Sequence, residues 1–118
     1  MFPCDDCLKL ANKLAEIGSE VSMRSAVNRA YFAAFHKTKM FAQNSNVKFS
    51  GGKRSDIHKD VVRFLTGHDD ENVKLLSPEL DRLRNNRNKC DYADTIRNLK
   101  RVELNAIIAA KEIFNMIT

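Results

Sequence analysis

The apolar residues of this chain recur at spacings of three and four, and one of the stripes they draw has an arginine in it. From Ser77 the sequence reads SPELDRLRNNRNKCDYAD, where Leu80, Leu83, Arg87 and Cys90 follow one another at spacings of three, four and three. That is the inward stripe of an amphipathic helix. The guanidinium at Arg87 stays charged at any accessible pH, so on such a stripe it needs an anion or a polar cleft. Asp91 stands one turn later, within reach of it. No segment shows convincing strand alternation, so the chain reads as all-α, a single domain over 1–118.

The same period places the other helices. The first runs from about Asp5 to Ile17, with Cys7, Leu10, Leu14 and Ile17 on one face, an aspartate cap at its start and Gly18 at its end. Ser22 caps a second, longer helix that turns Met23, Val27, Ala30, Ala34 and Phe41 inward, with Tyr31 and Phe35 on an adjoining stripe. The polar stretch QNSNVKFSGGKRS is a long loop, made basic by Lys48, Lys53 and Arg54. A short third helix, DIHKDVVRFL, ends at Gly67, and GHDDENVK is an acidic linker. Ser77 caps the Arg87 helix, with Pro78 at its first position. Asp94 or Thr95 caps a last helix with Leu99, Val102, Ala106, Ala110, Ile113 and Ile117 along its apolar side. Four to five helices joined by short turns predict an antiparallel bundle.

Composition narrows the function classes. At 118 residues and 43% hydrophobic content the chain can bury a substantial core. No apolar run approaches a membrane span, and the opening residues are acidic where a signal peptide is basic, so the chain reads as cytoplasmic, without a membrane partner. The net charge of +5 permits a nucleic-acid partner without requiring one. Cys4 and Cys7 have zinc-ligand spacing, but no second pair completes a site, and Cys7 also fits the apolar stripe; neither a metal nor a cofactor is expected. Gly51-Gly52-Lys53 lacks the upstream glycine and following hydroxyl of a phosphate-binding loop.

Two segments, RSAVNRAYFAAFH at 24–36 and RNKCDY at 87–92, together with the pair His58-Lys59 opening the helix between them, resemble the HEPN domain family. The resemblance implies a helical bundle that dimerises, with the arginine motif of each subunit lining a shared cleft. Many HEPN proteins are metal-independent endoribonucleases in toxin–antitoxin or defence settings. Others bind a nucleotide, or pair with a nucleotidyltransferase or an antitoxin protein. The family's ribonuclease motif is an arginine, a polar residue and a histidine four to six positions on. Arg87 and Asn88 fit the first half. The histidine is absent, and Asp91-Tyr92 stands in its region, a variant associated with part of the family.

Metal-free RNA cleavage needs a base for the 2′-hydroxyl, a cation for the phosphorane-like transition state and an acid for the departing 5′-oxygen. Arg87 suits the cationic role, because its planar fork matches phosphate oxygens. An aspartate is a weak base beside a histidine, with an ordinary pKa of about 3.9 against about 6.5, and it partly neutralises the arginine it pairs with. A tyrosine, ordinarily near 10, can donate a proton or bind a phosphate. Arg87 and Asp91 equally fit a plain ion pair that fixes the helix or the dimer seam.

His58 titrates nearest neutrality and is the substitute proton carrier, if it reaches the Arg87 cleft; a solvated or capping histidine is the blander alternative. Lys59 beside it adds a cation for RNA or a nucleotide. Arg24, Asn28 and Tyr31 share a face of the long helix that, by the resemblance, supports the arginine motif. Tyr31 is placed to bond the Arg87–Asp91 pair or a phosphate, or else simply packs its ring. His36 fits a packing role, and His68 a solvated one. The reading is an RNA-directed HEPN-type module and candidate endoribonuclease. The alternatives are a nucleotide-binding or nucleotidyltransferase-partnered protein with Tyr92 as a modification site, and a dimeric helical adaptor without a ligand.

Overall fold

A computed structural model describes residues 1–49 and 54–117. The helices are α1 (Cys4–Ile17), α2 (Glu20–Asn44), α3 (Arg54–Thr66), the single turn α4 (Glu71–Lys74), α5 (Leu76–Tyr92) and α6 (Leu99–Ile117), with no strand among the described residues. The antiparallel bundle expected from the period is the fold observed. Gly51, Gly52 and Lys53 of the basic loop lie outside the described residues, as does the side chain of Arg54.

The central helix is α2, which packs against α1, α3, α5 and α6. Its sequence explains why. Ala26, Ala30, Ala33, Ala34 and Ala42 are all fully buried, and Ala106, Ala109 and Ala110 on α6 are buried too. Side chains this small let helix axes approach to the lower end of the usual 8–10 Å range. Larger residues fill the gaps between the helices: Leu65, Leu80, Leu83, Ile113, Val27 and Val61 are the bulkiest apolar side chains at under 2% exposure. With neighbours on several sides, α2 buries more than the expected inward and adjoining stripes, taking in Ala26, Ala33, Thr38 and Ala42 as well.

Several helix ends differ from expectation. Ser19, not Ser22, caps α2, its hydroxyl accepting the amide of Ser22. Ser22 instead turns inward and donates its own hydroxyl to the Ser19 carbonyl. The start of α1 has Pro3 at its cap position and no side-chain cap, whereas Gly18 ends it in the left-handed conformation at φ 78°, as expected. Helix α5 begins at Leu76, before Ser77, which places Pro78 third in its first turn, where a missing amide still costs nothing. The acidic linker holds α4, capped by Asp70 on the Asn72 amide. Neither Asp94 nor Thr95 starts α6. It begins at Leu99, after Asn98 at φ 54°, a conformation asparagine tolerates.

The inward face of α1 is also rotated. Cys4, Cys7 and Ala11 are buried, whereas Leu10 is 45% and Ile17 68% exposed. Close approach to α2 selects the small side chains: the Cys7 thiol sits 3.2 Å from the Arg29 carbonyl, and the Cys4 sulfur 3.7 Å from that of Met40. Burial raises both thiol pKa values. No helix among the described residues is long and apolar enough to cross a membrane.

Candidate functional site: an arginine cleft backed by a Tyr–His–Asp chain

Helices α2 and α5 run antiparallel, which places Arg24 near Ala93, Asn28 near Asp91, and Phe32 near Arg87. Beside this seam, where α3 approaches, lies a cleft of about 400 Å³. Its apolar walls are Phe2, Tyr31, Phe32, Phe35 and Ile57. Its cations are Arg29, Lys39, Arg84 and Arg87, and among the described residues none that lines it is acidic. The pattern is legible on α2 afterwards: Arg29, Phe32, His36 and Lys39 follow at spacings of three, four and three and all line the cleft.

Arg87 is half-buried on the cleft wall. Its Nε lies 2.8 Å from Asp91 Oδ2, the expected ion pair. The alignment is too poor for a directional hydrogen bond, and Nε stays without one. An Nη donates to Asn88 Oδ1 at 3.1 Å, which holds the fork. The guanidinium carbon sits 5.1 Å from the Phe32 ring centre and 6.0 Å from that of Tyr31, within cation–π range. Asn28 braces Asp91 through its amide, and its own oxygen accepts from Arg29. Arg84, which the sequence reading missed, forms no ion pair or hydrogen bond among the described residues.

Behind the cleft lies a polar chain, buried at Tyr31 and His58 and open to solvent at Asp81. Tyr31 Oη is 2.7 Å from His58 Nδ1, and His58 Nε2 is 3.0 Å from Asp81 Oδ1. His58 is 2% exposed and Tyr31 4%. Hence His58 is neither solvated nor a cap. It is also not a lining residue, and Tyr31 stands between it and the cavity. The acceptor-only carboxylate of Asp81 assigns the tautomer. Nε2–H donates to Asp81, and bare Nδ1 accepts from the Tyr31 hydroxyl. Burial is the main cause of a lowered His58 pKa, partly opposed by the bond to Asp81 and reinforced by the Arg84 charge. Burial also pushes Tyr31 up to about 12, against the pull of Arg84 and Arg87. At neutral pH the chain therefore holds a neutral imidazole and a neutral phenol.

The remaining expected residues scatter. Arg24 spends its guanidinium on the carbonyls of Cys90, Ala93 and Asp94 at the end of α5, away from the cleft. Tyr92, the last residue of α5, is 79% exposed and does not line the cleft. Lys59 is exposed. His36 stacks on Phe2 with ring centres 3.7 Å apart. Asp81 and Arg84 were legible only as polar positions beside the Leu80–Leu83 stripe; α3 gives them their meaning. Compared with known proteins, the chain matches no family model, no curated protein and no solved structure.

Proposed function

We propose that the protein is an HEPN-type RNA-directed module whose arginine cleft binds the RNA backbone and cleaves it without a metal, in a toxin–antitoxin or defence setting. The observation that carries this reading is the convergence of Arg29, Lys39, Arg84 and Arg87 with aromatic rings around one cavity that no carboxylate lines among the described residues. Aromatic faces stack bases of any sequence, and guanidinium forks hold phosphates. Two arginines on one phosphate suit the charge that develops in the phosphorane-like transition state. Asp91 tempers Arg87 and fixes its direction, and Arg84 carries no such counterion among the described residues. The resemblance of the 24–36 and 87–92 segments to HEPN domains supports the same reading.

The site is proposed to work in a homodimer. A shallow groove holding Leu10, Leu14 and Val21 runs beside Asn28 and Asp91, so exposed apolar surface adjoins the Arg87 pair. Val21 is 75% exposed. Apolar side chains in that place suit a second copy of the chain.

The experiment is cleavage of short single-stranded RNA in EDTA, with anisotropy for binding. Wild type cleaves, Arg87→Ala and Arg84→Ala do not, and binding weakens steeply as salt rises. Equal cleavage by parent and variants would assign the activity to a contaminant. A second reading is favoured by one observation, the 79% exposure of Tyr92. An accessible phenol suits nucleotidyl modification by a partner nucleotidyltransferase. A mass increase of one nucleotidyl group, lost in Tyr92→Phe, tests it.

A further inference from the structure

We infer that Tyr31, His58 and Asp81 form a two-way proton relay for this cleft, with the Tyr31 hydroxyl as the group that meets the ribose and His58 and Asp81 acting through it. The inference rests on the RNA-cleavage reading and supplies what that reading lacks, a source and a sink for the proton.

Three observations carry it. The chain is continuous, at 2.7 Å from Tyr31 to His58 and 3.0 Å from His58 to Asp81. It is directional, because Tyr31 lines the cleft and His58 does not, while the carboxylate lies at the far end. Its cleft end also lies beside the cation, because the Arg87 guanidinium carbon is 6.0 Å from the Tyr31 ring centre. A phenol held near 12 is a poor base or acid alone. Coupled to a neutral imidazole it passes a proton on without becoming phenolate. The arrangement follows the logic of a hydroxyl, a histidine and an orienting carboxylate.

The ribose 2′-hydroxyl gives its proton to Tyr31 Oη as the Tyr31 proton moves to His58 Nδ1. The 2′-oxygen bonds to phosphorus. The imidazolium is held by the Asp81 carboxylate while Arg84 and Arg87 hold the phosphorane oxygens. The bond from phosphorus to the 5′-oxygen breaks, His58 returns its proton to Tyr31, and Tyr31 passes one to the departing oxygen. The products are a 2′,3′-cyclic phosphate and a 5′-hydroxyl, with no net proton released.

Protonation of His58 at low pH blocks the first transfer. The groups that face it are Tyr31 from α2 and Asp81 and Arg84 from α5, with Arg87 beside Tyr31. The acidic limb of kcat/KM therefore lies below the ordinary histidine value of 6.5. Asp81→Asn removes the charge that supports the imidazolium. It lowers kcat and moves that limb to more acidic pH.

The test uses the full chain, EDTA and a short labelled single-stranded RNA, with a DNA strand of the same sequence as a substrate that lacks the 2′-hydroxyl. Tyr31→Phe is expected to keep RNA affinity within about threefold while kcat falls by about 10²–10⁴-fold. The DNA strand is expected to bind and stay whole. Difluorotyrosine at 31, which keeps the ring and hydroxyl but makes a stronger acid, is expected to reshape the pH profile. Tyr31→Phe cleaving at the parental rate, or an unchanged profile with difluorotyrosine, overturns the relay and leaves the ribonuclease reading standing. RNA binding by wild type with no cleavage overturns the relay and the cleavage reading, and leaves the binding cleft. Absence of RNA binding overturns the reading itself. Nitrogen NMR showing the His58 proton on Nδ1 overturns the relay independently of activity.

Discussion

At the scale of the residue, Arg87 behaves as its place in the sequence demands. A charged fork on an apolar stripe finds both an anion and a polar cleft, Asp91 at 2.8 Å and the cavity floored by Tyr31 and Phe32. His58 contradicts the blander expectation, because a histidine with a partner on each ring nitrogen can stay buried. Both buried groups make stability depend on pH, and the signs follow from the directions of their shifts. His58 is lowered, so its contribution is intact above the ordinary value of 6.5 and is lost as pH falls below it. Tyr31 is raised from 10.0 to about 12, so its contribution is intact below pH 10 and is lost as pH climbs toward 12. Denaturant midpoints across pH should decline on both flanks. The Tyr31 share of the alkaline decline, on the order of 2–3 kcal/mol, should be missing in Tyr31→Phe, leaving the share due to the raised, buried thiols.

At the scale of the element, α5 is the helix on which the site depends, and its C-terminal end is held from outside. Arg24 caps it through three carbonyls, the use of a cation that the negative end of a helix dipole favours. Arg24→Ala should cost about 1.5–3 kcal/mol in urea midpoints and weaken the proposed RNA binding only through the disturbed Asp91. Loss of affinity at unchanged stability would contradict that assignment. Ser19→Ala, which removes the cap of α2, should cost about 1 kcal/mol. Helix α6 carries the opposite case. Glu103 is fully buried, with one oxygen on Lys100 at 3.3 Å and the other unpartnered. Glu103→Met should therefore be neutral or stabilising in thermal melts, and a large loss would point to a polar role for that carboxylate.

At the scale of the whole molecule, α2 is the axis around which the bundle is built. Leu80 and Leu83 on α5 are at most 1% exposed. Leu80→Ala should cost about 2–5 kcal/mol, with a correspondingly lower melting temperature. The exposed Leu10 and Ile17 are the price of rotating α1 to bring its small residues against α2, and Val21, on the first turn of α2, shares a groove with Leu10. If a second copy covers them, Val21→Glu should halve the sedimenting mass. A parent chain that sediments as a monomer would exclude that arrangement.

Period alone determined the five longer helices and the antiparallel bundle, because the 3.6-residue repeat of an apolar face is a local property of the chain; the single turn α4 stayed hidden in the acidic linker. Glycine at the end of α1 and arginine on the α5 stripe were legible for the same reason. Which face of α1 turned inward, which serine capped α2 and where α5 and α6 began were decided by packing, since the closest approach of two helices selects among several acceptable stripes and caps. The full lining of the cleft and the polar chain behind it were decided at that level. Arg29, Tyr31, His58, Asp81 and Arg84 come from three helices, and no spacing along one chain records that α3 lays its histidine between a tyrosine on α2 and an aspartate on α5.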